Sequence, residues 1–302
     1  VEIGLKISKY APFLGMAFML LIVQLAAIAL SEPLNDNDFK AFSDPEAASN
    51  VVYWLIIILV FTAFILLVVK WNKKWLIQAF ILVSIAWTLA YVFYAVFSLF
   101  LPPFPNTALT LILSIAMTVI LYKFPEWYVI DLVGVLIGAG AASIFGISLA
   151  IIPALLLLVL LAVYDYIAVY RTKHMIALAE GVMELRLPIL LVVPKRWNYS
   201  FLTETFDKEE REAFFMGLGD AVMPTILVVS AITFSSAAQY TLPILGAINM
   251  PAIGAIIGTF VGFSVLMGFV MKGNPQAGLP FLNGGVILGY VVGSLAAGVS
   301  PV

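Results

Sequence analysis

The chain has 302 residues, 63% of them hydrophobic and only 11% charged. Soluble domains carry about 25% charged residues, so this balance excludes a soluble core and describes a polytopic membrane protein. The net charge of −2 says nothing about nucleic acid, but there is no basic stripe or Gly-rich phosphate loop to bind one, and the absence of cysteine removes disulfides, thiolate metal sites and cysteine nucleophiles.

In chain order, windows of about 20 apolar residues predict nine transmembrane helices. They fall at 10–30, 51–70, 75–100, 106–122, 128–145, 147–170, 213–235, 243–271 and 279–300. The expected architecture is an all-α bundle forming a single transmembrane domain over 1–302: helices one to six at about 10–170, a segment at 171–212, and helices seven to nine at about 213–300. The first run reads as a retained span, because no small-x-small cleavage pattern follows it before Ser31. The division between helices five and six is the weakest, with Phe145, Gly146 and Ile147 as its turn. With nine spans, every one of the 15 basic residues except Lys40 falls on one side. The positive-inside rule then puts the N-terminus in the cytoplasm and the C-terminus outside. The loop at 31–50, carrying Glu32, Asp36, Asp38, Asp44 and Glu46, reads as solvated outer surface. The segment 175–194 is too apolar for a free linker and is expected to lie along the membrane edge or over a site.

Two aspartates interrupt the apolar runs. Asp165 lies in LLLLVLLAVYDYIAVY and Asp220 in AFFMGLGDAVMPTILVV. An ionisable residue at membrane depth is costly and is a functional hypothesis by default. At 1.5 Å per residue, Asp165 lies about 9 Å and Asp220 about 13 Å from the cytoplasmic boundary. Small neighbours at helical spacing, Ala162, Ala168 and Gly217, let the two helices approach closely. Gly219 loosens the start of helix seven, and Pro224 removes a backbone hydrogen bond one turn after Asp220.

Two carboxylates about 3–5 Å apart in a low-dielectric pocket tend to share one proton, which lets one accept a proton from water while the other protonates a carbonyl. That is peptide hydrolysis by an aspartyl dyad, and it needs no cofactor or metal. The lone His174 lies beyond the end of an apolar run, which disfavours a zinc site or a Ser–His couple in the membrane. On the residues alone two other readings stand beside the dyad: polar contacts that hold helices together, and a proton relay in a proton-coupled transporter. A third acid, Asp131, lies at comparable depth, and depth does not exclude it from the active pair.

The sequence around these acids narrows the choice. Tyr164-Asp165 and Gly217-Leu218-Gly219-Asp220 resemble the YD and GxGD motifs of the presenilin and signal peptide peptidase family of intramembrane aspartyl proteases. Pro280-Phe281-Leu282 stands where that family has Pro-Ala-Leu, with Phe281 as the departure. The resemblance spans the whole architecture and is that of a compact microbial, archaeal-type member, which implies the plasma membrane of a prokaryote. It implies Asp165 and Asp220 as the catalytic pair. It further implies that Tyr164, Gly217, Leu218, Gly219, Pro280, Phe281 and Leu282 position the substrate. The implied partners are transmembrane-helix substrates and the lipid bilayer. A prepilin-type peptidase, which also uses GxGD, is the alternative within the proteases. The cytoplasmic N-terminus matches the presenilin orientation and implies substrates whose N-termini lie outside. Glycines at spacing four, Gly254/Gly258/Gly262 and Gly285/Gly289/Gly293, are expected to pack helices eight and nine closely, with a homo-oligomer interface as the other use.

Overall fold

Apolar sequence without interruption can satisfy its backbone in lipid only as helix, and the chain does so. The structure, a computed structural model, describes residues 2–71, 74–172, 190–195, 199–202, 213–243, 245–271 and 276–302. Among the described residues there are nine α-helices and two small β-ribbons. The helices are α1 (Glu2–Asp36), α2 (Ser49–Lys70), α3 (Lys74–Ser98), α4 (Pro103–Lys123), α5 (Trp127–Gly146), α6 (Ile151–Ile167), α7 (Leu218–Phe234), α8 (Met250–Val270) and α9 (Gly278–Ala296). A π-helical turn, Ala168–Thr172, extends α6. Strands β1 (Leu190–Pro194) and β2 (Ala213–Gly217) form one antiparallel ribbon. β3 (Gln239–Leu242) and β4 (Gly246–Asn249) form the other.

Seven of the helices are long and apolar enough to cross a membrane. The other two have shorter apolar stretches, Ser49–Ile65 in α2 and Leu218–Phe234 in α7. The order of spans matches the sequence expectation, and the main differences lie at the end of the first helix and the starts of three later ones. α1 runs on to Asp36, six residues into the stretch 31–50 read as a solvated loop, and buries Ser31, Pro33 and Leu34. The seventh helix begins at Leu218 instead of 213, because Ala213–Gly217 is extended and pairs with β1. The eighth helix begins at Met250 instead of 243. Gly246, with φ of +76°, makes the hairpin turn ahead of it, and the Asn249 side chain caps it by accepting from the Ala252 N–H at 3.0 Å. The sixth helix starts at Ile151, after a connection at 147–150 in which Ser148 Oγ accepts from the Ala41 N–H at 2.7 Å. Most of segment 171–212, including His174, lies outside the described residues; of the 175–194 stretch, only β1 is described.

α7 is the hub of the bundle. Eleven of its residues are buried, and it packs on α1, α5, α6, α8 and α9. Polar side chains clasp neighbours to its backbone and to each other: Ser230 Oγ donates to the Leu149 carbonyl at 2.7 Å, and Asn249 Nδ2 donates to the Ala231 carbonyl at 2.8 Å. Ser143 Oγ donates to the Ala27 carbonyl, joining α5 to α1. α8 and α9 meet backbone to backbone. A Cβ placed on Gly258 would stand 2.2 Å from the Gly285 carbonyl oxygen, and one on Gly289 would stand 2.1 Å from that of Gly254. Only glycine permits this approach. The two glycine stripes are therefore used inside the molecule.

Candidate active site

Asp165 faces inward near the end of α6 and is buried, 6% exposed. Its Oδ2 accepts from the backbone N–H of Leu279, 3.1 Å away, and the neighbouring N–H of Gly278 also bonds to its carboxylate. These are the first amides of α9, which a helix leaves without internal partners. Pro280 follows, and as a proline it has no N–H that needs one. Asn283 ties the same two helices one turn further on, its Nδ2 donating to the Leu158 carbonyl at 2.9 Å.

Asp220 sits in the first turn of α7, directly after β2. Its carboxyl group lies against Gly278. A Cβ on that glycine would fall 2.9–3.0 Å from Oδ1, Oδ2 and Cγ of Asp220. Both aspartates thus converge on one dipeptide, Gly278-Leu279, and they are close enough to act on each other electrostatically. Pro224, four residues on, cannot bond the Asp220 carbonyl, so the turn carrying Asp220 lacks a rung of its ladder.

The other residues singled out in the sequence take different places around the pair. Gly217 ends β2 and leads into α7; a Cβ there would stand 3.3 Å from Asp220 Oδ2. Leu218 packs against Gly138 of α5, while Gly219 is exposed and has nothing within 4 Å of its Cβ position. Leu282 is fully buried, in a cluster that includes Leu191 of β1 and Met216 of β2. Pro280 and Phe281 lie in the first turn of α9, where the Phe281 ring packs on Phe269 with centroids 5.5 Å apart. Tyr164 is turned away from the pair and is 47% exposed. Asn283-Gly284-Gly285, which follow the Pro280-Phe281-Leu282 motif, are regular helix, and Gly285 is in contact with α8. The N–H groups that a helix start leaves over lie earlier, at Gly278 and Leu279, and they meet Asp165.

Asp131 is not grouped with the pair. It is buried, 4% exposed, and its Oδ1 accepts from the Val192 N–H of β1 at 2.7 Å. That bond fixes the ribbon's hydrogen-bonding phase. In an antiparallel pair, residues alternate between closely bonded pairs and wide pairs whose N–H and C=O groups point outward. Val192 turns its N–H toward α5, so Val192–Phe215 is a wide pair, and so are Leu190–Gly217 and Pro194–Ala213, two residues away on either side. Pro194 fits such a place, having no N–H. On the far edge of β2 the outward backbone groups therefore belong to Ala213, Phe215 and Gly217. Among the described residues no strand pairs along that edge. Among the same residues, no cluster of three or more His, Cys, Asp or Glu could hold a metal ion.

A family profile described as "Signal-peptide peptidase, presenilin aspartyl protease" matches residues 16–299. Two solved structures of a presenilin family intramembrane aspartate protease, in space groups C222 and P2, are each 44% identical in sequence to this chain. The first superimposes with a TM-score of 0.72 and covers 94% of this chain and 99% of its own; the second does so with 0.70, 94% and 98%. No curated protein sequence matches.

Proposed function

Because this chain belongs to the signal-peptide peptidase and presenilin aspartyl protease family, we propose that Asp165 and Asp220 are its catalytic pair. It is an intramembrane aspartyl protease and an integral, multi-pass membrane protein; neither the family nor the solved relatives favour a transporter. The observation that carries the assignment is the convergence of both carboxyl groups on Gly278-Leu279 at the start of α9.

The chemistry follows from that pair. One carboxylate takes a proton from a water molecule whose oxygen attacks the scissile carbonyl carbon. The other carboxyl gives its proton to the carbonyl oxygen, yielding a gem-diol. The C–N bond then breaks as the amine nitrogen is protonated and a diol proton returns to the pair. The two roles belong to the dyad jointly. The Leu279 N–H holds Asp165 Oδ2 in one orientation throughout, so α9 sets part of the geometry of the reacting groups.

The substrate reading rests on the ribbon. Among the described residues no further strand pairs with β2 on the edge where Ala213 and Gly217 turn their main-chain groups outward, and this edge runs directly into the turn bearing Asp220. A stretch of substrate pulled out of helix pairs with this edge and is delivered to the dyad by strand addition. Gly217, Leu218, Gly219, Pro280, Phe281 and Leu282 surround that route. The residence proposed is the plasma membrane of a prokaryote with the N-terminus in the cytoplasm.

The test is cleavage of a type-I transmembrane peptide by the purified protein in detergent, with wild type compared to Asp165→Asn and Asp220→Asn. Wild type should cut within the apolar segment, and each variant should lose at least about 1,000-fold, since removal of a group acting as a unit forfeits most of the dyad's contribution. Full activity in either variant would sink the assignment. Cuts confined to the cytoplasmic edge would favour a prepilin-type peptidase.

A further inference from the structure

We infer that Asp131 is a positioning residue that holds the β1–β2 ribbon in register and closes one of its two edges, so that substrate is directed to the other. The inference rests on the proposed strand addition, and it accounts for the third intramembrane acid that the catalytic chemistry leaves unused. A buried carboxyl group with one partner is expensive to keep, so its partner is informative. Here that partner is a main-chain amide 61 residues away in sequence. The Asp131 carboxylate stands beside β1 where the carbonyl of a third strand would otherwise stand, 2.7 Å from the Val192 nitrogen. Its other oxygen, Oδ2, is buried without a hydrogen-bond partner.

Packing reinforces the assignment. Val192 is fully buried, and a Cβ on Gly134, one turn beyond Asp131, would come 3.2 Å from Leu191. β1 is therefore pressed directly on α5. Glu126, at the start of α5, holds the chain beyond β1: its Oε1 accepts from Ser200 Oγ at 2.7 Å and its Oε2 from the Phe201 N–H at 3.1 Å. Two acids of one helix thus grip the ribbon and the segment that follows. A one-residue slip of a strand exchanges its inward and outward groups. Without the Asp131 bond, the backbone groups that β2 presents three residues before Asp220 would lose their fixed phase. The expected result is cleavage spread over neighbouring bonds, with the acid–base step itself intact.

The experiment uses the full-length protein, with Asp131→Asn, Asp131→Leu and Val192→Pro. Asn keeps an acceptor oxygen, Leu keeps the volume without one, and Pro removes the donor from the other partner at a wide-pair position. Two readouts are taken: product termini with kcat and KM on the type-I peptide, and amide hydrogen exchange of the 190–194 segment. Asp131→Asn is expected to retain the wild-type product pattern. Asp131→Leu and Val192→Pro should raise KM by about tenfold, as expected when a buried donor or acceptor is left unpaired, and should broaden the set of product termini. Exchange at 190–194 should quicken in Asp131→Leu and stay slow in Asp131→Asn. If Asp131→Leu does not fold, Val192→Pro carries the test. The inference is overturned if Asp131→Asn is as inactive as Asp165→Asn, which would make Asp131 part of the chemistry. It is also overturned if folded Asp131→Leu or Val192→Pro keeps the wild-type KM and termini. Exchange is read without catalysis, so an error in the choice of catalytic pair leaves this outcome legible.

Discussion

At the scale of single residues, the space around Asp220 grades three glycines. A methyl group on Gly278 would meet all three atoms of the Asp220 carboxyl group at 2.9–3.0 Å; one on Gly217 would meet Oδ2 at 3.3 Å, and one on Gly219 would meet nothing within 4 Å. Gly278→Ala should therefore displace the carboxylate and lower kcat by about 100-fold, in keeping with the sensitivity of catalysis to shifts of about 1 Å. Gly217→Ala should cost less and Gly219→Ala least. Rates of purified variants check the order. If Gly219→Ala proves as damaging as Gly278→Ala, then the substrate approaches Gly219, because no described residue lies within 4 Å of its Cβ position. The motif letters identify Gly217 and Gly219, but not which of them is shorter of room. Gly278 precedes the Pro280 motif, and its part is visible only once α9 is set against α7.

Among the elements, the α8–α9 pair is the most demanding of its sequence. Val at position 258 or 289 would force apart backbones that now touch, at a cost of about 1–3 kcal/mol. Gly258→Val and Gly289→Val should each lower the thermal unfolding temperature. They should also lower activity, because α9 carries the amides that hold Asp165. Gly268→Ala, whose Cβ meets nothing within 4 Å, should leave the unfolding temperature near that of wild type. Much of this level was legible in advance. Glycine spacing predicted the close pair, and apolar windows predicted the order of spans. What escaped was extended structure. Ala213–Gly217 reads AFFMG, a short apolar run that fits helix or strand alike, and its choice is made by a partner strand 19 to 27 residues earlier. Likewise, nothing near Asp131 in sequence announces Val192, and nothing near Asn283 announces the carbonyl of Leu158. Depth placed the acids at one level, but only the fold separates the one that holds a strand from the two that meet.

For the molecule as a whole, the direction of β2 carries a prediction about substrates. In the proposed orientation, with the N-terminus in the cytoplasm, β2 and α7 run outward, so an antiparallel strand added to the outer edge of β2 runs inward. A segment whose N-terminus lies outside already has that direction. A type-I peptide should be cut, and the same apolar sequence inserted in the opposite orientation should be cut at least about tenfold more slowly, parallel pairing being the weaker arrangement. Reconstitution into vesicles with oriented substrates decides it, and equal rates would refute the orientation argument. The proposed docking edge, at Ala213 and Gly217, bears also on what makes a good substrate. It offers main-chain groups, and every amino acid has those. In lipid, a helix that unwinds must find new partners for each freed amide and carbonyl, and this edge replaces only a few of them. Discrimination then falls less on which side chains surround the cut than on how little it costs the substrate to let go of its own helix there. Victims are chosen by their local frailty: a glycine or a β-branched pair at the right depth would mark a protein for destruction more surely than any consensus word.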